Sequence, residues 1–201
     1  MTRQLLVATL CFATVGVFSI GLFFLTDYQT RPGAGGEPQL REDLPSDGVF
    51  ADRDPDSVAV LVFYHPKCPC TRAAMRDLAR LTPKLRREVS IYGLAYRPTS
   101  ESNEWIETDS TRILRDINGA RIVSDPDALI CRKFGVIVSG HMLVYSERGK
   151  LLFSGGITPS RGHEGSCLAS DQMLRAIEEG AKPEREWPVF GCAIYTQAEH
   201  S

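Results

Sequence analysis

The sequence has little net charge. Its 23 lysines and arginines against 25 aspartates and glutamates leave a formal charge of −2 over 201 residues. With no basic excess there is no electrostatic footprint for nucleic acid, and that partner class is set aside. The charges do not gather into runs either, so no charged interaction tail is implied. No segment repeats, and 43% hydrophobic content supports one ordinary core with length to spare. Histidines number only 4, and tryptophans 2. Cysteines number 6 but cannot all be paired outside the first apolar run. Cys11 lies in that run and leaves Cys68, Cys70, Cys131, Cys167 and Cys192, an odd set. An odd set in an exported domain implies a free or exchangeable thiol, hence redox chemistry or metal carriage, and not a disulfide-built scaffold.

What is present begins with that run. From Leu5 to Leu25 no residue is charged, a length sufficient for a hydrocarbon core of roughly 30 Å. The run ends Phe23-Phe24-Leu25-Thr26-Asp27-Tyr28, without the small residues a signal peptidase needs. The residues before Cys11 make a weak lipobox. Residues 1–28 are therefore read as an uncleaved signal-anchor. Arg3 biases the amino terminus to the cytoplasm and the remainder to the extracytoplasmic side, the periplasm in a bacterium. Residues 29–56 are rich in Pro, Gly, Asp and Glu and read as a flexible linker. A folded domain is expected over 57–182. A tail over 183–201, with Pro183, Trp187, Pro188, Phe190 and Cys192, should pack irregularly on it.

The domain is organised around His65-Pro66-Lys67-Cys68-Pro69-Cys70. An apolar run, Val58 to Tyr64, precedes it, and helical spacing of Ala74, Leu78 and Leu81 follows. Pro69 suits the first helical position, which puts Cys68 at the N-cap and Cys70 just inside. A helix N-terminus offers unpaired N–H groups and partial positive charge, both favouring thiolate over thiol. Cys68 is thus the candidate nucleophile. An inert staple is the weaker reading, because Cys-X-Cys closes too small a loop to restrain the unfolded chain much.

Elements then alternate. The helix is expected from Pro69 to about Arg86, and a second strand over Glu88–Tyr96, parallel to the first. A helix capped by Ser102 should run to Asn118-Gly119, with Arg121–Val123 a short strand and Pro126 opening a short helix that stops at Gly135. His141–Tyr145 and Lys150–Phe153 read as a hairpin joined at Glu147-Arg148-Gly149, and Ala169 to Gly180 as the last helix.

This order, with VFYHPKCPCT and the stretch from Phe134-Gly135-Val136 to Gly149, resembles the thioredoxin fold over Ser57–Gly180. It implies an α/β domain: a central mixed β-sheet flanked by helices, behind an N-terminal transmembrane helix. The anchor, HPKCPC and GGITPSRGHEG together look closest to RedB-like thioredoxin-family proteins of bacteria. Two departures stand out. The cysteines are one residue closer than in Cys-X-X-Cys, and the place of the cis-proline that receives substrate backbone is taken by Gly140. The fold implies that His141 and the loop Ile157–Cys167, with Arg161, His163, Glu164 and Cys167, face Cys68 and Cys70.

Two functions follow from the resemblance. In the first, a thiol–disulfide oxidoreductase without cofactor, Cys68 attacks and Cys70 resolves. Lys67 or His141 would stabilise the thiolate, and Gly140, Arg161, His163 and Glu164 would meet a protein thiol or disulfide substrate. Arg161 and Glu164 are alternatively a loop-stabilising pair. The second is copper delivery through Cys68, Cys70 and His141, similar in kind to the Sco family, whose cysteines are spaced more widely. A peroxidase with Cys167 or Cys192 resolving is a third reading, weakened by the missing Pro-X-X-X-Thr-X-X-Cys pattern of peroxiredoxins.

Overall fold

The computed structural model describes residues 2–33, 40–182 and 186–195. Residues 34–39 of the expected linker, and 183–185 and 196–201 of the expected tail, Pro183 included, lie outside the described residues. Two compact units result, 1–31 and 32–201. The first is helix α1, Thr2–Thr30. By length and composition it is a candidate membrane span, a test that a signal sequence near the N-terminus also passes.

The second unit is built on a five-stranded sheet in the order β3-β2-β1-β4-β5. The central strand β1 (Val58–Tyr64) is buried along its whole length, which is why it reads as an unbroken apolar run. It pairs in parallel with β2 (Val89–Arg97), which pairs in parallel with β3 (Ala120–Pro126). On its other side β1 pairs antiparallel with β4 (His141–Tyr145), and β4 with β5 (Leu151–Gly155). The expected hairpin turn closes with Gly149 at φ +76°.

Alternation sends β1 side chains into two apolar layers. Val58, Val60, Val62 and Tyr64 meet α2 (Pro69–Leu81), α3 (Asp109–Arg115) and α5 (Leu168–Glu179). Ala59, Leu61 and Phe63 meet Phe50, Phe134 and Cys131 of α4 (Leu129–Lys133).

Several boundaries differ from expectation. Helix α2 ends at Leu81, short of Arg86, because the chain tightens into a 3-10 turn over Thr82–Lys84 around Pro83. The helix expected behind Ser102 is split in two. Ser102 caps a 3-10 turn, Asn103–Ile106, and α3 starts afresh behind Thr108. Pro126 opens no helix; it is the last residue of β3, paired with Arg97. The N-cap position is Ala128, and the capping acceptor comes from Asp125, whose carboxylate accepts the N–H groups of Ile130 and Cys131 at 2.7 and 2.9 Å.

The largest correction concerns the linker. Over residues 40–56 it is part of the domain. Leu151 N–H donates to Glu42 O at 3.0 Å, Leu44 N–H to Gly149 O at 2.8 Å, and the Tyr145 hydroxyl to Arg41 O at 2.7 Å. The ring of Phe50 is buried against Tyr92 and Phe134, with centroids 5.1 and 5.8 Å away. A segment poor in apolar residues is thus anchored by backbone pairing and a few side chains, Phe50 with Leu40 and Leu44, a pattern that composition does not reveal.

Candidate active site

The site forms where β1 gives way to α2. Cys68 is extended (φ −81°, ψ 116°) and Pro69 takes the first helical position, so Cys68 is the N-cap residue. Its N–H donates to His65 O at 3.0 Å, which closes the turn. The Cys68 side chain is only 3% exposed. Burial would push its thiol up. Hydrogen bonds from the Thr71 hydroxyl and from the N–H and S–H of Cys192, with a smaller one from the Thr71 N–H, outweigh burial and hold the thiol below its ordinary value. Cys70 is shifted the other way, raised by burial and by the Cys68 charge, with Arg161 opposing through charge and a hydrogen bond. Cys192, exposed on one side, is pushed up to about 12 by partial desolvation against its neighbours, then by its hydrogen bond to Cys68 and the charges of Cys68 and Cys70. Cys68 is thus the thiol most readily ionised of the three, with Cys70 and Cys192 both shifted against ionisation.

The donor on Thr71 is itself held in place. Ser139 Oγ accepts the His65 N–H at 2.8 Å and lies 2.6 Å from Thr71 Oγ1. The His65 N–H can only donate and the Thr71 proton is turned to sulfur, so Ser139 donates to Thr71. The chain of donors runs from β4's approach through Thr71 to Cys68, with Thr71 and Ser139 buried at 1% and 0% exposure.

Of the residues expected here, Arg161 reaches the thiols: it acts on Cys70 and Cys192, and its Nη1 donates to Gly191 O at 2.8 Å. Gly140 lies beside the site in a left-handed conformation (φ +90°), its N–H donating to Phe63 O at 2.8 Å.

Lys67 is turned toward Trp105. Its ammonium sits 4.5 Å above the Trp105 ring, which also touches His65 edge-on, while His65 stacks on Tyr96. His141 is displaced from the role expected of it. It pairs with Phe63 across β1–β4, so its ring shares the face of Phe63 and Phe134, not the face covered by α2. It is buried, with Nε2 2.8 Å from Ser154 Oγ, and burial lowers its pKa to about 4. His141 therefore does not join Cys68 and Cys70, and the copper set expected of the three is not assembled among the described residues.

Glu164 does not pair with Arg161. It accepts from Arg76 and Arg80 of α2 at 2.8 and 2.9 Å, while buried Asp77 binds Arg80 and accepts the Gly165 N–H at 3.0 Å. These contacts strap the 157–167 loop to α2. His163 is exposed and turned onto its own loop, with Nδ1 2.8 Å from Arg161 O. Cys167 caps α5, its thiol donating to Ile157 O at 3.2 Å, and no contact joins it to the other thiols. Cys131 is buried, and burial followed by the Asp125 charge raises its thiol well above the ordinary range, so it is inert.

Sequence reasoning missed Thr71 and Ser139 and undervalued Cys192. A hydroxyl one residue after Cys70 was the only available signal for the first. The others arrive by long-range contacts that no local pattern announces.

A mixed five-stranded sheet with helices on both faces and thiols at the first strand-to-helix junction defines a thioredoxin-like α/β protein. The model of the AhpC/TSA family matches residues 50–154, and the chain belongs to that family. Among solved structures it is similar to an uncharacterized conserved protein from Geobacillus kaustophilus, at 17% identity and TM-score 0.56, covering 85% of this chain and 94% of the other. It is also similar to a hypothetical protein from Sinorhizobium meliloti 1021, at 15% identity and TM-score 0.58, covering 84% and 96%. A secreted Mycobacterium tuberculosis disulfide oxidoreductase homologous to E. coli DsbE overlaps at 17% identity and TM-score 0.41, covering 61% and 81%. No curated protein matches the sequence.

Proposed function

We propose that the protein is a membrane-anchored, extracytoplasmic thiol–disulfide oxidoreductase with Cys68 as the attacking thiolate. The observation that carries this reading is the placement of Cys68: a nearly buried thiol at the N-cap of α2, beside the Ser139–Thr71 hydroxyl pair, whose donors hold its pKa below the ordinary value despite burial. A structural cysteine in apolar surroundings is shifted the opposite way, as Cys131 is. The thiolate attacks one sulfur of a client disulfide and forms a mixed disulfide, releasing the other sulfur as a thiol. A neighbouring thiol then loses its proton, attacks Cys68 Sγ as thiolate and frees the client, whose departing sulfur takes up a proton. Cys70, two residues on and in contact with Cys68, is the resolving thiol that the sequence alone suggests. Arg161 lowers the cost of the Cys70 thiolate as it forms.

Family membership supports thiol redox chemistry, and the RedB-like resemblance of HPKCPC agrees with it. The charge-free face of α1 supports anchoring, and Arg3 supports an extracytoplasmic domain. The test is exchange activity of the full chain in detergent against a protein disulfide such as that of insulin. Cys68→Ser should abolish it; full activity in that variant would refute the assignment.

A further inference from the structure

The 191–194 segment lies along the Ile137–Ser139 edge as an added antiparallel strand. Val138 bridges Ala193, Ser139 N–H donates to Cys192 O at 2.8 Å, and Ile194 N–H to Ile137 O at 2.7 Å. Arg161 Nη1 pins Gly191 O at 2.8 Å. The approach is so close that a Cβ on Gly191 would run into the Ser139 carbonyl oxygen, so only glycine permits it. Ser139 also belongs to the donor chain of Cys68. The register of this strand places the N–H and S–H of Cys192 against Cys68 Sγ. Cys192 itself is exposed, whereas Cys68 is not.

We propose that Cys192 is the resolving thiol of Cys68, and that residues 191–194 occupy the edge on which an extended cysteine-bearing client would pair. The proposal rests on the reading of Cys68 as nucleophile. Cys70 is less well placed. It sits two residues from Cys68 across Pro69, so a bridge between them would close a small ring within the first turn of α2, around a residue whose φ is fixed. Cys192 arrives on a separate segment that adjusts without disturbing the helix.

The step balances as follows. Cys68 thiolate displaces one client sulfur, which leaves as thiolate and takes a solvent proton. Cys192 then gives up its proton and attacks Cys68 Sγ. The second client sulfur leaves and takes up the proton, and a Cys68–Cys192 disulfide remains. Two electrons have passed from Cys68 and Cys192 to the client. A dithiol donor reverses both steps and restores the reduced protein.

The experiment uses the reduced full chain in detergent, one equivalent of oxidised glutathione, an acid quench and disulfide mapping by mass spectrometry. Wild type and Cys70→Ser should both yield the Cys68–Cys192 link. In Cys192→Ser glutathione should persist on Cys68 roughly tenfold longer or more, because an intramolecular step has been lost. Gly191→Ala, which keeps the thiol but moves the strand, should slow closure in the same direction. A Cys68–Cys70 link in wild type, with Cys192→Ser clearing glutathione at the wild-type rate, overturns the proposal and leaves Cys68 as nucleophile. If Cys68→Ser still takes up glutathione in the 68–70 peptide as fast as wild type, the nucleophile assignment itself fails.

Discussion

Replacing Thr71 by valine isolates the donor chain behind Cys68. Valine keeps the β-branched shape in a site that is 1% exposed, so packing is preserved and only the hydroxyl is lost. That hydroxyl donates to the Cys68 thiolate and accepts from Ser139. A hydrogen bond to a charged group is worth about 1.5–3 kcal/mol. At about 1.4 kcal/mol per tenfold change in ionisation, the Cys68 pKa should rise by about one to two. Buried Ser139 also loses its acceptor, which should lower stability by about 1–3 kcal/mol. The assay is the pH dependence of iodoacetamide labelling at Cys68, read in the 68-containing peptide so that other thiols do not interfere. A midpoint displaced upward, with the helix content of the domain intact, is the expected outcome. An unmoved midpoint would mean that the helix N-terminus and Cys192 alone hold the thiolate, and the donor chain described above would be structural only. Ser139→Ala should move the midpoint in the same direction by less, since it acts through Thr71.

Two other outcomes follow from the core. His141 is buried neutral with its pKa depressed to about 4 from 6.5, so its contribution to stability is full above about pH 6.5 and is lost as pH falls toward 4. That loss is on the order of 3 kcal/mol, measurable by urea unfolding at pH 7 and pH 4.5, and His141→Gln should remove much of the difference. If wild type and variant lose stability in parallel, the carboxylates and not His141 govern acid sensitivity. Phe50→Ala should destabilise the domain by about 3–5 kcal/mol, as for a buried core phenylalanine; a change below about 1 kcal/mol in thermal or urea unfolding would return residues 40–56 to the status of a tether.

Elements with strong local signals were legible in the sequence. The β1–Cys68–α2 junction declared itself through an unbroken apolar run, a proline suited to the first helical turn, and two thiols. The hairpin declared itself through Gly149 between two apolar runs. Elements whose boundaries depend on a distant partner were not. Pro126 looked like a helix start because the Asp125 carboxylate, which caps the next helix, was indistinguishable from an ordinary turn residue. His141 was placed near the thiols from chain order alone, and the strand's two-residue periodicity turned it to the far face. Cys192 stands far along the chain from Cys68, and only the pairing of 191–194 with 137–139 brings them together.

The last described segment crosses the domain wherever side chains are missing. Gly155 and Gly156 leave room for the backbone of Trp187 to Val189, and Gly33 and Gly191 do so further along. The glycines let the backbone sit close enough for hydrogen bonds, while Val189 and Ile194 are buried and Trp187 packs against the core on either side of the thiols. The thiol cluster is therefore roofed by a segment clamped on both flanks, and a client that pairs with the Ile137–Ser139 edge must displace residues 191–194 while the sheet beneath stays whole.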